Sequence, residues 1–219
     1  MNRPNWIYLF SKRIFDFFLA LIGILITSPI WILTVIGIEL SDPGPIFYIA
    51  KRVGKDNKVF GMYKFRSMRQ GKANEAVFRG DEDRIFPFGA LIRKLKIDEL
   101  PQFINVLVGK MSFVGPRPAA VDQIESMRGG EAVIASSVVP GITGPAALYD
   151  YLYGDTITSE EDYLKLVLPT RVKLEAIYPM KMSFLFDMKM IYYTIICICG
   201  SIFHLQLKGI YERIIELSE

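Results

Sequence analysis

The chain has 219 residues and is 51 % hydrophobic, enough for one domain with a sizeable core and a membrane segment besides. A net charge of +3 favours an anionic membrane surface or anionic substrates and gives no case for nucleic acid. The single histidine, His204, excludes a multi-histidine metal site in one chain, and it excludes serine–histidine or cysteine–histidine catalysis unless His204 supplies it.

Residues 6–18 interleave aromatics with Lys12, Arg13 and Asp16, as at the interfacial start of a membrane helix. Asp16 can pair with Arg13 or Lys12. Residues 17–38 then carry no charge and are long enough to span a bilayer. Pro29 lies inside this run and lacks an amide hydrogen, so a kink is expected there. The carbonyls it frees need donors, and the Thr27 and Ser28 hydroxyls are nearest. Both flanks are basic: Arg3, Lys12 and Arg13 before, and Lys51, Arg52, Lys55 and Lys58 after. Basic flanks prefer the cytoplasmic side, which favours a re-entrant hairpin broken at Ser28-Pro29 over a kinked single span. The run is too long for a cleavable signal peptide and lacks a small-x-small site after it. The sequence contains no internal repeat.

After the breaker-rich stretch 39–45, residues 46–53 and 59–66 read as two strands joined by the loop 54–58. A strand would point Lys64 and Arg66 to one face. Residues 67–83 read as irregular, and 88–95 as a short helix carrying Arg93 and Lys94. Leu100, Phe103, Ile104 and Leu107 recur at helical spacing. Asp98 is placed as the N-cap of that helix, Pro101 is in its first turn and Gly109 ends it. A short strand is expected over 111–114. Gly115-Pro116-Arg117-Pro118 and Pro140-Gly141-Ile142-Thr143-Gly144-Pro145 read as rigid loops. Ser159-Glu160-Glu161-Asp162 opens a helix that Pro169 should stop. Residues 183–203 predict a longer helix lying at the membrane interface or on the domain, and 208–219 an amphipathic tail. Cys197 and Cys199 read as buried thiols. The apolar C-terminal segment could serve a homodimer.

The adjacent carboxylates Asp98 and Glu99, close behind Arg93, are the most suggestive chemical feature. An ionised carboxylate can attack phosphorus and form an acyl phosphate. Its neighbour can hold magnesium, which takes one or two carboxylates together with phosphate oxygens. Guanidinium groups such as Arg93 and Arg117 would neutralise the phosphates. By spacing alone, an N-cap followed by an acidic first turn explains the same residues.

An ordered set of motifs resembles the bacterial sugar transferases, monotopic phosphoglycosyl transferases that start glycan assembly on a polyprenyl phosphate. The motifs are Lys12-Arg13-Ile14-Phe15-Asp16, Ser28-Pro29, Gly44-Pro45-Ile46-Phe47, Lys64-Phe65-Arg66-Ser67-Met68, Asp98-Glu99-Leu100-Pro101-Gln102 after Arg93, Met111-Ser112-Phe113-Val114 running into Gly115-Pro116-Arg117-Pro118, and Pro140-Gly141-Ile142-Thr143-Gly144. The resemblance implies that Asp98 takes a phosphosugar from a nucleotide diphosphate sugar and releases a nucleoside monophosphate. Polyprenyl phosphate then removes the phosphosugar. It implies Glu99 as a ligand of Mg2+, and Lys64, Arg66, Arg93, Gln102, Arg117 and Thr143 as binders of phosphate or substrate. It implies Ser28-Pro29 as the break of the re-entrant helix.

The expected architecture is therefore an α-rich α/β membrane protein. A re-entrant helix-break-helix hairpin covers 1–40, a catalytic domain with interfacial amphipathic helices covers 41–205, and an amphipathic tail covers 206–219. The expected location is the cytoplasmic face of the bacterial inner membrane, in contact with phospholipid. The chain departs from the family at Phe86, where a polar residue is common, and at Pro145-Ala146-Ala147-Leu148-Tyr149, where many members carry tryptophan and then glutamine. The second departure bears on donor identity. The chain resembles the minimal form, without the extra N-terminal membrane domain of larger relatives. Rival readings are a non-enzymatic membrane-anchored interaction protein and a phosphoryl transferase with a soluble acceptor.

Overall fold

The computed structural model describes residues 6–69, 82–124, 127, 129–157, 159–203 and 207–218. Helix α1, Trp6–Ser41, is the one described helix long and apolar enough to cross a membrane. It runs continuously through Ser28-Pro29, where the sequence predicts a break. Pro29 deprives the Leu25 carbonyl, one turn back, of its usual donor. The Ser28 hydroxyl donates to that carbonyl at 2.8 Å, and the Thr27 hydroxyl donates to the Gly23 carbonyl at 2.6 Å. Of the two hydroxyls named from the sequence, Ser28 thus compensates the proline, and Thr27 bonds back onto its own turn. Ser28→Ala should lower the melting temperature in lipid nanodiscs by about 2–4 °C, the equivalent of one lost hydrogen bond.

Both halves of α1 dock on the rest of the chain. In the first half, Arg13 donates from Nη1 and Nη2 to the carbonyls of Val106 and Leu107, each at 2.6 Å. These are the last carbonyls of α3, Gln102–Leu107, where a cation suits the helix end. Arg13 is thereby committed, and Asp16 pairs with Lys12 at 3.7 Å. Lys12 Nζ also lies 2.8 Å from Asp187 Oδ2. Asp16 accepts from the Ser112 hydroxyl at 2.7 Å, and Asp187 from the Tyr8 and Tyr178 hydroxyls at 2.8 and 2.9 Å. Lys12, Asp16 and Asp187 are all buried. In the second half, Ile38 joins Phe65, Phe86 and Ile92 in a small core, and Trp31 packs edge-on against Phe65 at 5.3 Å.

Strands β1, Phe47–Val53, and β2, Val59–Phe65, form the expected antiparallel hairpin, in register from Phe47 opposite Phe65 to Val53 opposite Val59. Helix α2 is Pro87–Lys94. Strand β3, Ser112–Val114, follows α3 and Gly109, which takes a φ of +76° just beyond the helix as expected. Strand β4, Ala119–Ala120, pairs with the free edge of β1. Where a rigid loop is predicted, Gly141–Thr143 forms strand β5, parallel to β3. Its glycines explain this. A Cβ on Gly141 would come within 2.1 Å of the Gly115 nitrogen, so the two backbones can touch only without side chains.

Helix α4 spans Pro145–Leu152. The helix opened at Ser159 does not stop at Pro169. A turn, Glu160–Asp162, passes through the π-helical Tyr163–Val167 into α5, Leu168–Lys181, and Pro169 sits in its first turn, where no amide hydrogen is needed. Helix α6, Phe184–Phe203, buries Met190, Tyr193 and Cys197 in the main core with Tyr149, Leu174 and Tyr178. Cys199, expected to be buried, is exposed, because only one face of α6 meets the core. Helix α7, Lys208–Ile215, seats Ile214 in the same core. His204 lies outside the described residues, as does most of the irregular stretch 67–83.

Candidate active site

Asp98 is not a helix N-cap. It lies within a 3-10 turn, Ile97–Glu99, and Pro101 occupies the N-cap position of α3. Lys96 makes this possible by taking a φ of +56°, which ends α2 and turns the chain back towards β2. Lys64, next to last in β2, then meets both carboxylates. Its Nζ is 3.0 Å from Glu99 Oε1 and 3.9 Å from Asp98 Oδ2. The spacing between α3 and β2 is set by Asn105, which sequence reasoning missed. Its amide donates to the Gly61 carbonyl at 2.8 Å, and its carbonyl accepts from the Tyr63 amide at 2.9 Å.

Arg117 is held from behind. Its backbone amide donates to Glu175 Oε2 at 2.9 Å, and Glu175 is buried on α5. The Gly115 amide donates to the Thr143 carbonyl and the Gly141 amide to the Pro116 carbonyl, so β3 and β5 lock the loop that carries Arg117. Two cavities meet here. A polar one of about 420 Å³ is lined by Lys64, Glu99, Gln102 and Arg117, with Arg52 and Arg171 farther along. An apolar one of about 390 Å³ is lined by Leu19 and Gly23 of α1, Phe103, Phe113, and Ile191 and Ile195 of α6. Glu99, Arg117, Ile142 and Asp150 line both.

The other predicted site residues divide. Gln102 is buried on the wall of the polar cavity, and Thr143 lines the apolar one, its hydroxyl 2.6 Å from that of Thr194. Arg93 is exposed and donates to Met68 Sδ at 3.2 Å, yet its charge still acts on Asp98. Asp98 lines neither cavity and is buried next to Lys64. Arg66 lies apart from both cavities. It does not converge with Lys64, because its guanidinium binds Asp42 and donates to the Pro45 carbonyl at 2.5 Å, and it stacks over Phe86. Arg66 therefore tethers the exit of α1 to the sheet. Arg52, Asp150 and Arg171 carry no motif that marks them as lining a cavity.

The electrostatics of the two acids differ. Burial raises the Asp98 carboxyl above its ordinary value, Lys64 pulls it down and Glu99 adds to the rise. Burial pushes Glu99 up too, but Lys64, Arg117 and Lys96 outweigh it and bring Glu99 down to about 2. Glu99 is thus a fixed anion facing both cavities. Among the described residues no three metal-binding side chains cluster. Glu99 offers a hard oxygen donor on the wall of the polar cavity, a chemistry that suits magnesium with phosphate oxygens better than a transition metal.

The model of the bacterial sugar transferase family matches residues 7–201. The chain belongs to that family. Among similar proteins, the UDP-N-acetylgalactosamine-undecaprenyl-phosphate N-acetylgalactosaminephosphotransferase of Aeromonas hydrophila is 48 % identical over 127 residues, covering 56 % of this chain and 30 % of that protein. The UDP-glucose:undecaprenyl-phosphate glucose-1-phosphate transferase of Escherichia coli (strain K12) is 36 % identical over 188 residues, covering 84 % and 39 %. The exopolysaccharide production protein ExoY of Sinorhizobium fredii is 31 % identical over 208 residues, covering 87 % and 86 %. This sugar transferase chain therefore aligns with well under half of the first two relatives and with most of the third.

Proposed function

We propose that the chain transfers a sugar 1-phosphate from a UDP-sugar to undecaprenyl phosphate, the first step of an exopolysaccharide or capsule. The observation that carries this reading is the polar cavity meeting the apolar one at Glu99 and Arg117. A water-soluble, charged donor and a lipid acceptor need such unlike compartments with one wall in common. The names of the relatives supply the substrates.

Asp98 attacks the phosphorus that bears the sugar. The bond between the two phosphates breaks, UMP leaves, and an aspartyl phosphosugar remains. A phosphate oxygen of the lipid then attacks the same phosphorus, the acyl–phosphate bond breaks, and Asp98 is restored. Lys64 covers Asp98 in the free protein. The donor diphosphate draws its ammonium away and opens the carboxylate to the polar cavity. Arg117 faces the phosphates in both steps, Gln102 and Thr143 line the two compartments, and Arg93 lends long-range positive charge. Glu99 would hold Mg2+, which would supply neutralisation of phosphate charge.

The membrane reading is a re-entrant hairpin in which α1 bends at Pro29 without a helical break. The two ends of α1 grip the same domain, through Lys12 and Arg13 on one side and Ile38 and the Asp42–Arg66 pair on the other. Both flanks then lie on the cytoplasmic face of the inner membrane. Exposed Leu25, Ile26, Ile32 and Leu33 around Pro29 face lipid. Residues 1–40 form the hairpin, 41–205 the catalytic domain and 206–219 a tail.

The test is intact-mass spectrometry of the protein with UDP-sugar and magnesium but no acceptor. A phosphosugar adduct mapped to Asp98 is expected, and discharge by added undecaprenyl phosphate. An unmodified mass, or steady UMP release without lipid, would overturn the reading. Cytoplasm-confined reagents should modify residues on both sides of α1, and protection of one side would favour a full span.

Activity should also follow pH in a stated direction. Asp98 must be ionised to attack, so turnover falls as pH drops through a value above the ordinary 3.8. Stability runs oppositely for the two acids. With its raised pKa, Asp98 favours the folded state fully below its unfolded value and loses that contribution as pH rises through the folded one. The lowered pKa of Glu99 gives a contribution present above 4.5 and lost as pH falls towards about 2. A pH–rate profile and pH-dependent melts check both.

A further inference from the structure

We propose that Asp150 reads the donor sugar, and that Arg171 and Tyr163 hold it in position. This rests on the transfer reading above. In a two-step transfer only the phosphosugar is present in both steps, since the nucleotide leaves after the first and the lipid arrives for the second. A side chain on the wall common to both cavities is therefore beside the sugar throughout. Among the described residues, four form that wall. Glu99 and Arg117 face the phosphates, and Ile142 has no polar side-chain atom. Asp150 remains as the acceptor for sugar hydroxyls, and a carboxylate accepts such hydrogen bonds strongly.

The carboxylate is pre-oriented. Asp150 projects from α4, and its Oδ2 is 3.1 Å from Arg171 Nη1 on α5. The Tyr163 hydroxyl donates to Asp150 Oδ1 at 3.3 Å, and Arg171 donates to that hydroxyl in turn. Asp150 comes from α4, and Tyr163 and Arg171 come from the helical run that continues into α5, all at the polar cavity. An acceptor fixed this way can discriminate between epimers, because a hydroxyl of the wrong configuration leaves the carboxylate partly unmatched. Helix α4 opens on Pro145-Ala146-Ala147-Leu148-Tyr149, the stretch where this chain departs from its family.

The experiment uses the whole protein in nanodiscs with magnesium and undecaprenyl phosphate. UDP-glucose, UDP-galactose, UDP-N-acetylglucosamine and UDP-N-acetylgalactosamine are compared by UMP release, with kcat and KM resolved. Asp150→Asn should lower kcat/KM for the best donor about 10- to 100-fold and shift its ratio to the C4 epimer by about tenfold. The KM for undecaprenyl phosphate should stay unchanged. Tyr163→Phe should move the ratio the same way by a smaller factor, and it carries the test should Asp150→Asn not fold. Asp150→Glu should restore part of the preference. An equal loss on all four donors, or unchanged ratios, overturns the assignment. Adduct formation by the unaltered protein is read in the same series. No adduct with any donor would sink the transfer reading, whereas adducts with unchanged ratios would sink only the role of Asp150.

Discussion

Asp98→Asn should abolish turnover, by at least about 10³-fold, and remove the phosphosugar adduct with it. The amide is isosteric but is a poor nucleophile. Loss of fold would not explain the result. Burial disfavours the ionised carboxylate at this site, so a neutral amide relieves a destabilising charge. At neutral pH the variant should melt no lower than the original protein. UMP release, intact mass and a melting curve on one preparation separate these effects. An active Asp98→Asn protein would remove the covalent step, and an adduct mapped to Glu99 would move it to the residue that faces both cavities.

Lys12→Met should be the most destabilising single change in the docking of α1. Lys12 is the cation between Asp16 and Asp187, and all three are buried. Removing it strands two carboxylates out of water. Breaking a buried pair in this way costs about 3–5 kcal/mol, roughly 10 °C in Tm. Asp187 keeps its bonds from Tyr8 and Tyr178, and Asp16 keeps the Ser112 hydroxyl, so the loss is one of charge balance. Adding Asp187→Asn to Lys12→Met should recover part of it. Thermal melts of both variants in nanodiscs check this. A single variant as stable as the parent would mean that α1 is held chiefly by Arg13 and the Ile38 core.

Local pattern read the elements well where one element decides its own shape. The β1–β2 hairpin, α2 and the Gly109 stop follow from alternation, helical spacing and glycine. It failed where distant backbones decide. Gly141–Thr143 looks like a loop until β3 lies beside it, and Pro169 looks like a stop until the preceding π turn frees its position. Of the site, Lys64, Glu99, Gln102 and Arg117 were legible as motif residues and do line one cavity. The Asp42 partner of Arg66 was not legible, since a strand's alternation gives the face of a side chain and not its partner. Asn105, Asp150 and Arg171 were invisible because their roles exist only across elements 20 or more residues apart in sequence.

The buried charges of α1 also set an order of assembly. Helix α1 leaves the ribosome before the elements it binds: Arg13 needs the end of α3, Asp16 needs Ser112, and Lys12 needs Asp187 near the start of α6. On the proposed membrane placement, the helix waits in the bilayer during synthesis with these groups hydrated at the surface. A chain halted before residue 187 would have made α1 and yet still lack its last lock.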